Sequence, residues 1–243
     1  MPNHVRNIVK MEGIADLPYF TEVDGHRCFD FNKLVAMPKD LQIEDDTLTD
    51  ERIMYFITER CQIPLSRLTS EKTALLRAIF PRMYKTKLPE DIFQRVSSRL
   101  MTATEEVKER VYEYGRRYVS NIEKYGAPTW YLWCIRHWGT KWNAGYTEII
   151  DRDTIQFDTA WSNPAPILQK LGELHPAIRI EHWWADEDVG QNTGHRILFN
   201  GDEHVECFAG DKDALDLYEK CWGECDDVYI DENGEVQYRD SDD

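Results

Sequence analysis

No stretch of this chain approaches the ~18 consecutive apolar residues of a membrane span, and no basic segment followed by an apolar one opens it. A soluble protein without a leader is therefore expected. Glycine-rich phosphate loops are missing, as is the Gly-x-Ser-x-Gly elbow that arms a serine nucleophile. Ser162 stands outside any such motif, and no Cys/His pair has a diagnostic catalytic spacing, so no catalytic residue is expected. Cysteine is sparse: Cys28, Cys61, Cys134, Cys207, Cys221 and Cys225 are scattered over 243 residues. That excludes a disulfide scaffold and fits free thiols in a reducing cytoplasm.

Positive charge is also in short supply, with 29 Lys+Arg against 45 Asp+Glu and a net charge of −16. The shortage is uneven. Residues 47–126 hold 15 bases and 11 acids, so the other 163 positions carry 14 bases and 34 acids, a local charge of −20. A non-specific nucleic-acid binder needs a basic face to neutralise phosphates. Nucleic acid is therefore not the expected direct ligand; acidity this strong fits either plain solubility or a surface that mimics nucleic acid or meets a basic partner.

What is present is globular composition, 42% hydrophobic and 12% aromatic, in a chain long enough for one large domain or a small domain with an insertion. Val5–Glu12 reads as a strand ending at Gly13, and Cys28–Val35 as a second extended segment, with a hairpin turn at Val23-Asp24-Gly25-His26 between them. Residues 47–126 change to helical spacing. Thr49 is placed to cap one helix, Ser70 starts another that Pro81 closes, and Pro89 opens a third. Val107, Val111, Tyr114, Tyr118, Ile122 and Tyr125 form one continuous stripe of a fourth, which Gly126 and Pro128 end.

Beyond it, Trp130–Trp138 has helical spacing, and Tyr146–Ile150 and Ile155–Trp161 read as strands around a tight turn at Asp151-Arg152-Asp153. Asn163 is placed to cap a short helix with Pro164 at its first position, and Ile178–Ala185 and His195–Phe199 read as further strands. With the N-terminal strand, the order is β-α-β-β-α-β. The expected fold class is therefore α+β, a ferredoxin-like split βαβ sheet with two helices on one face and an inserted helical lobe. The expected domains are 1–46 plus 127–205 for the sheet, 47–126 for the lobe, and 206–243 as an acidic extension. That extension includes a small hairpin around Asn233-Gly234 and disordered last residues.

Five segments resemble one family. Asn3-His4-Val5-Arg6-Asn7, Phe29 to Pro38, Trp138 to Ala144, Phe157 to Ser162 and Ala185 to Asn192 follow, in order, the motifs of the YubB-type ferredoxin-like domain family. The resemblance covers roughly residues 3–40 and 128–200 and leaves out the helical block and the tail. It implies a plasmid, phage or mobile-element protein in a bacterial host cytoplasm, and it supplies no established catalytic residues.

Two of those segments carry a chemistry that a plain core does not require. Trp138-Gly139-Thr140-Lys141-Trp142-Asn143-Ala144 concentrates indoles, a cation and an amide, and Asp186-Glu187-Asp188 follows directly on Trp183-Trp184-Ala185. The candidate binding residues are Trp138, Lys141, Trp142, Asn143, Asp158, Trp161, Trp184, Asp186, Glu187, Asp188 and Asn192. One reading makes them a Trp-rich core whose indole N–H groups find acceptors in Asp158 or Asp186, with Lys141 paired to the acidic loop. The other makes them a recognition pocket. A divalent cation at Asp186–Asp188 matches no EF-hand spacing, and His204, Cys207, Cys221 and Cys225 match no zinc finger, so neither metal nor cofactor is expected. The expected function is a non-enzymatic accessory protein that binds a host protein or nucleoprotein complex. Anti-defence action, such as anti-CRISPR or anti-restriction activity, is the specific form, with a nucleotide-binding or enzymatic cleft as the alternative.

Overall fold

The structure is a computed structural model that describes residues 3–79 and 89–239. The expected helix stop at Pro81 and the expected disorder of the last residues lie outside that range. The chain divides into two compact units, Met37–Trp133 and the combination of Met1–Ala36 with Cys134–Asp243.

The helical unit contains α1 (Thr49–Ile57), α2 (Ser70–Ile79), α3 (Pro89–Met101) and α4 (Glu105–Tyr125), and α5 (Trp130–His137) begins in it. Thr104 caps α4 by accepting the Val107 N–H, and Gly126, at φ 71°, ends it in the left-handed conformation that glycine adopts without strain. The stripe of α4 turns inward at Val111, Tyr118 and Ile122, which meet Ile53, Ile57, Val96 and Leu100. Gly115 is where α4 meets α1: a Cβ there would lie 2.1 Å from the Arg52 carbonyl oxygen. Thr49 does not cap α1 as expected. Leu48 holds the cap position, and the Thr49 hydroxyl accepts the Asp46 N–H at 3.1 Å, folding the preceding turn instead. This unit runs past both ends of 47–126, because Asn121 donates to the carbonyls of Asp40 (3.0 Å) and Pro128 (2.9 Å) and so ties both flanks to α4.

The second unit is built on β1 (His4–Met11), β4 (Gly145–Ile149), β5 (Thr154–Ala160), β6 (Ile180–Asp186), β7 (Thr193–Phe199) and β8 (Asp202–Phe208). Their sheet order is β4-β5-β1-β6-β7-β8, with every neighbouring pair antiparallel. The first four positions are the split βαβ arrangement, with the N-terminal strand between β5 and β6. Two smaller hairpins complete the unit. One joins β2 (Phe20–Val23) to β3 (His26–Phe29) through Asp24 and Gly25, both at positive φ, and the other pairs β9 (Val228–Ile230) with β10 (Val236–Tyr238).

Strand alternation decides what each face buries. On β1, Val5, Asn7, Val9 and Met11 are buried while Arg6 and Ile8 lie on the other face. Through the registers Asn7↔Trp184 and Met11↔Ile180, the buried face continues across β6 and on to Leu198 of β7. There α6 (Ala165–Leu174) covers it with Ile167, Leu168 and Leu171. The opposite face carries a third helix, α7 (Lys212–Trp222): its Trp222 ring lies 3.9 Å below the Arg6 guanidinium and its Lys220 ammonium lies 3.8 Å from the Trp183 ring.

Three expectations need correction. Residues 206–243 are not an appended extension, since β8 spans 202–208 and α7 packs on β6. Cys28–Val35 does not stay extended: β3 ends at Phe29, and the Asp30 carboxylate accepts the Asn32 N–H and starts a 3-10 turn. Asn163 does not cap α6 with its side chain, which instead accepts from Arg196 at 3.3 Å.

Candidate functional site

The loop from Gly139 to Ala144 is sewn to the end of β5. Thr140 donates to the Ala160 carbonyl (2.9 Å) and accepts the Ala160 N–H (3.1 Å), and Ser162 donates to the Gly139 carbonyl (2.6 Å). Asn143 accepts the Phe31 N–H (2.8 Å) and donates to Asp30 (2.7 Å), so it is a bracket between the loop and the turn after β3. Hydrogen bonds from Thr21, Asn143 and Asn32 hold the Asp30 carboxyl below its ordinary range although burial opposes them.

This bracing leaves Lys141 between two indoles. Its ammonium lies 4.5 Å from the Trp142 ring centre and 5.0 Å from that of Trp161. Both rings face solvent, 43% and 48% exposed, and Tyr146, at the start of β4, is 78% exposed with an edge contact to His4. Trp161, Tyr146 and Asn192 all adopt left-handed φ values of 66°, 47° and 44°. A large side chain pays strain for that conformation, and such strain gathers where a surface is shaped for contact rather than for packing.

The acidic loop holds the other side. Asp186 is buried and accepts from Asn3 (3.1 Å), from the Asp188 N–H (3.1 Å) and from Asn192 (3.3 Å). Asn3 also donates to Asp188 at 2.8 Å, and Asn192 donates to the Trp161 carbonyl at 3.2 Å. Glu187 and Asp188 are exposed. The loop is thus fixed by amides, and the Lys141 ammonium sits over rings.

The remaining candidates lie elsewhere. Trp138 is buried, donates to the Val35 carbonyl at 2.9 Å and meets Phe31 edge-on. Trp184 is buried on the α6 face, stacked 4.9 Å from His182. Asp158 points to the α7 face, 3.0 Å from Arg6. One cleft does not contain all eleven residues: Lys141, Trp142, Trp161, Asn192 and the exposed acids share a corner, and Trp138, Trp184 and Asp158 belong to packing.

A buried polar chain on the α6 face went unread. Arg196 donates to His182 Nδ1 (3.3 Å), which leaves Nε2–H to donate to Asn7 Oδ1 (3.0 Å), and Asn7 donates to Thr159 (2.9 Å) and the Val5 carbonyl (2.8 Å). Arg196 Nε lies 2.7 Å from Glu203, an ion pair whose N–H is not aligned on the oxygen. Burial, reinforced by Arg196 and His195, holds His182 far below the ordinary imidazole range, so it is neutral and apt to accept that bond. The signal was available: His182 shares strand parity with Ile180 and Trp184. Tyr146 and His4 had no such signal, because the register that brings them together is tertiary.

Among the described residues, no three His, Cys, Asp or Glu side chains stand close enough to hold a metal ion. Burial pushes the Cys134 and Cys221 thiols up to about 12, which keeps both protonated and poor as nucleophiles or ligands.

Residues 137–229 match the family described as the ferredoxin-like domain in Api92-like protein. The fold is ferredoxin-like. The match contains all the candidate residues and runs through α7 to Tyr229, so it also places 206–229 inside the domain. The crystal structure of a protein api92 from Yersinia pseudotuberculosis is similar at 11% identity and a TM-score of 0.33, over 85% of this chain and 98% of that one. Comparison with curated proteins finds no match. No helix among the described residues is long and apolar enough to cross a membrane.

Proposed function

We propose that this chain is a non-enzymatic binding protein that engages a host macromolecule through the corner formed by Lys141, Trp142 and Trp161. The observation that carries this reading is the exposure of two indoles around one ammonium, on a loop braced at both ends. Exposed Trp and Tyr at a rigid site are the residues that dominate macromolecular interfaces, because they bury large areas while losing few rotamers. Exposed Glu187 and Asp188 beside them favour a partner with basic groups at its rim, which a protein or nucleoprotein supplies and bare nucleic acid does not.

The finer proposal follows the motif resemblance: a YubB-type protein of a plasmid, phage or other mobile element, acting in the bacterial cytoplasm against a host antiviral or restriction system. The test is affinity capture from host lysate, with the wild-type chain and a Trp142→Ala/Trp161→Ala variant as parallel baits. One stoichiometric protein retained by the first bait and lost from the second supports the reading. A partner retained equally by both removes the corner from the interface. A small molecule that copurifies with the wild type and leaves with the variant replaces this reading by a ligand-binding cleft.

A further inference from the structure

The helical unit contains a second surface, unrelated to the aromatic corner. Between α1, α3 and α4 lies a cavity of about 390 Å³ whose walls include Leu100, Ala103, Val107 and Val111. Arg52, Arg99 and Arg110 stand around it, with Tyr114 on one side. We propose that this cavity is a binding site for an acidic peptide segment that inserts one bulky apolar side chain between the arginines.

Charge argues for the anion. Arg95 and Arg99 both turn to one buried carboxylate, Glu51, at 3.9 and 2.9 Å. Arg52 is held by Asp46 at 3.1 Å and Glu44 at 3.6 Å, donates to the Tyr118 hydroxyl at 2.9 Å, and lies 4.9 Å from the Tyr114 ring. Arg117 lies 5.8 Å from the same ring. Arg110 is exposed, and among the described residues it has no carboxylate within ion-pair distance. The cavity lining therefore sets three guanidiniums, those of Arg52, Arg99 and Arg110, against one carboxylate, that of Glu44, in a chain whose net charge is −16. Arg52 is neutralised by its two carboxylates and its side chain is 12% exposed, so the positive edge open to a ligand is that of exposed Arg110, with Arg99 beside it.

Shape argues for the apolar anchor. The volume is that of a small recognition pocket, and its aliphatic walls offer nothing to a sugar–phosphate chain, while Glu44, Asp46 and Glu51 oppose a dense polyanion. A peptide answers both demands, because its carboxylates alternate with side chains that fill the cavity.

The experiment uses the full chain and a fluorescein-labelled synthetic peptide whose central leucine is flanked by glutamates and aspartates, followed by fluorescence anisotropy. Saturable binding is expected, weakened at least about tenfold by Arg110→Glu, by Ala103→Trp, and by replacing the leucine of the peptide with alanine. The last comparison needs no protein variant and so holds even if one misfolds; far-UV circular dichroism checks the other two. An absence of saturable binding overturns the proposal. So does equal binding of the leucine and alanine peptides, which dispenses with the cavity. Short oligothymidylate binding as tightly as the peptide also overturns it and makes the surface a nucleic-acid site.

Discussion

Trp184 lies within β6 with 2% of its surface exposed, whereas Trp161, one residue past β5, keeps 48% in solvent. Strand parity makes the difference. Trp184 points to the same face as Ile180, under α6, and Gly194 opposite it is bare so that the ring fits: a Cβ there would meet the indole at 2.2 Å. Trp161 has left the ladder, and its left-handed backbone turns the ring outward toward Lys141. Two indoles of one small sheet thus serve opposite ends, one filling a core and one facing solvent. Residue type alone does not assign the role; the backbone around it does.

Truncation should expose that contrast most strongly. Trp184→Ala is expected to cost about 3–5 kcal/mol, the transfer loss plus a cavity against His182. Gly194→Ala should cost less, about 1–3 kcal/mol, since the new methyl also meets the Glu206 carbonyl and neither ring nor strand can retreat far. Urea denaturation measures both. A loss under about 1 kcal/mol for Trp184→Ala would mean that the α6 face is loosely packed.

The polar chain beneath Trp184 offers a second measurement, by pH. An unfolded imidazole titrates near 6.5, and burial holds that of His182 well below it. The unfolded chain therefore takes up a proton that the folded chain refuses. Stability is complete above about 6.5 and falls by about 1.4 kcal/mol per pH unit below it. His182→Gln can keep both hydrogen bonds without titrating, so its slope between about pH 5 and 6.5 should be shallower by about one proton. His137 and His195, also shifted down, keep their smaller shares in both proteins. Equal slopes for the two proteins would place His182 in contact with water.

How much of this was legible follows from the same contrast. The split βαβ order could be read because hydrophobic alternation in β1, β5 and β6 and the 3–4 spacing of α4 are local signals. β8 and α7 were missed because an edge strand written Asp202-Glu203-His204-Val205-Glu206-Cys207-Phe208 avoids alternation; exposed charges protect an open edge from stray pairing. For the candidate site, the sequence marked the loop and the indoles that the structure brings together around Lys141 but merged both faces of the sheet. Asp158 and Trp184 come close to the corner in sequence pattern, and only the registers Arg6↔Asp158 and Asn7↔Trp184 reveal that they point to opposite sides.

Lys141 sharpens the comparison from the exposed side. A cation over solvent-facing rings contributes about 0.5–1 kcal/mol, so Lys141→Met should lower stability by no more than about 1 kcal/mol while weakening partner capture. A loss of about 3 kcal/mol or more would instead mark the ammonium as one partner of a buried pair.

Trp161→Gly is expected to change stability about as little as Lys141→Met and is the most discriminating. Removing the ring forfeits the burial of roughly half an indole, on the order of 1–1.5 kcal/mol, and about 0.5 kcal/mol of cation–π attraction. Glycine adds an unfolded-state entropy cost of about 0.5–1 kcal/mol. Against these, it relieves a left-handed backbone that costs an L-residue about 1–2 kcal/mol, at the φ of 66° that Trp161 adopts. The terms leave a net loss of roughly 1 kcal/mol, so the melting temperature should fall only modestly, whereas the same substitution at Trp184, in an extended strand with no such strain to relieve, should be severe. Capture of the partner should fail with the folded Trp161→Gly protein. A loss above about 2 kcal/mol would show that the ring stabilises the sheet, and the corner would then belong to the core.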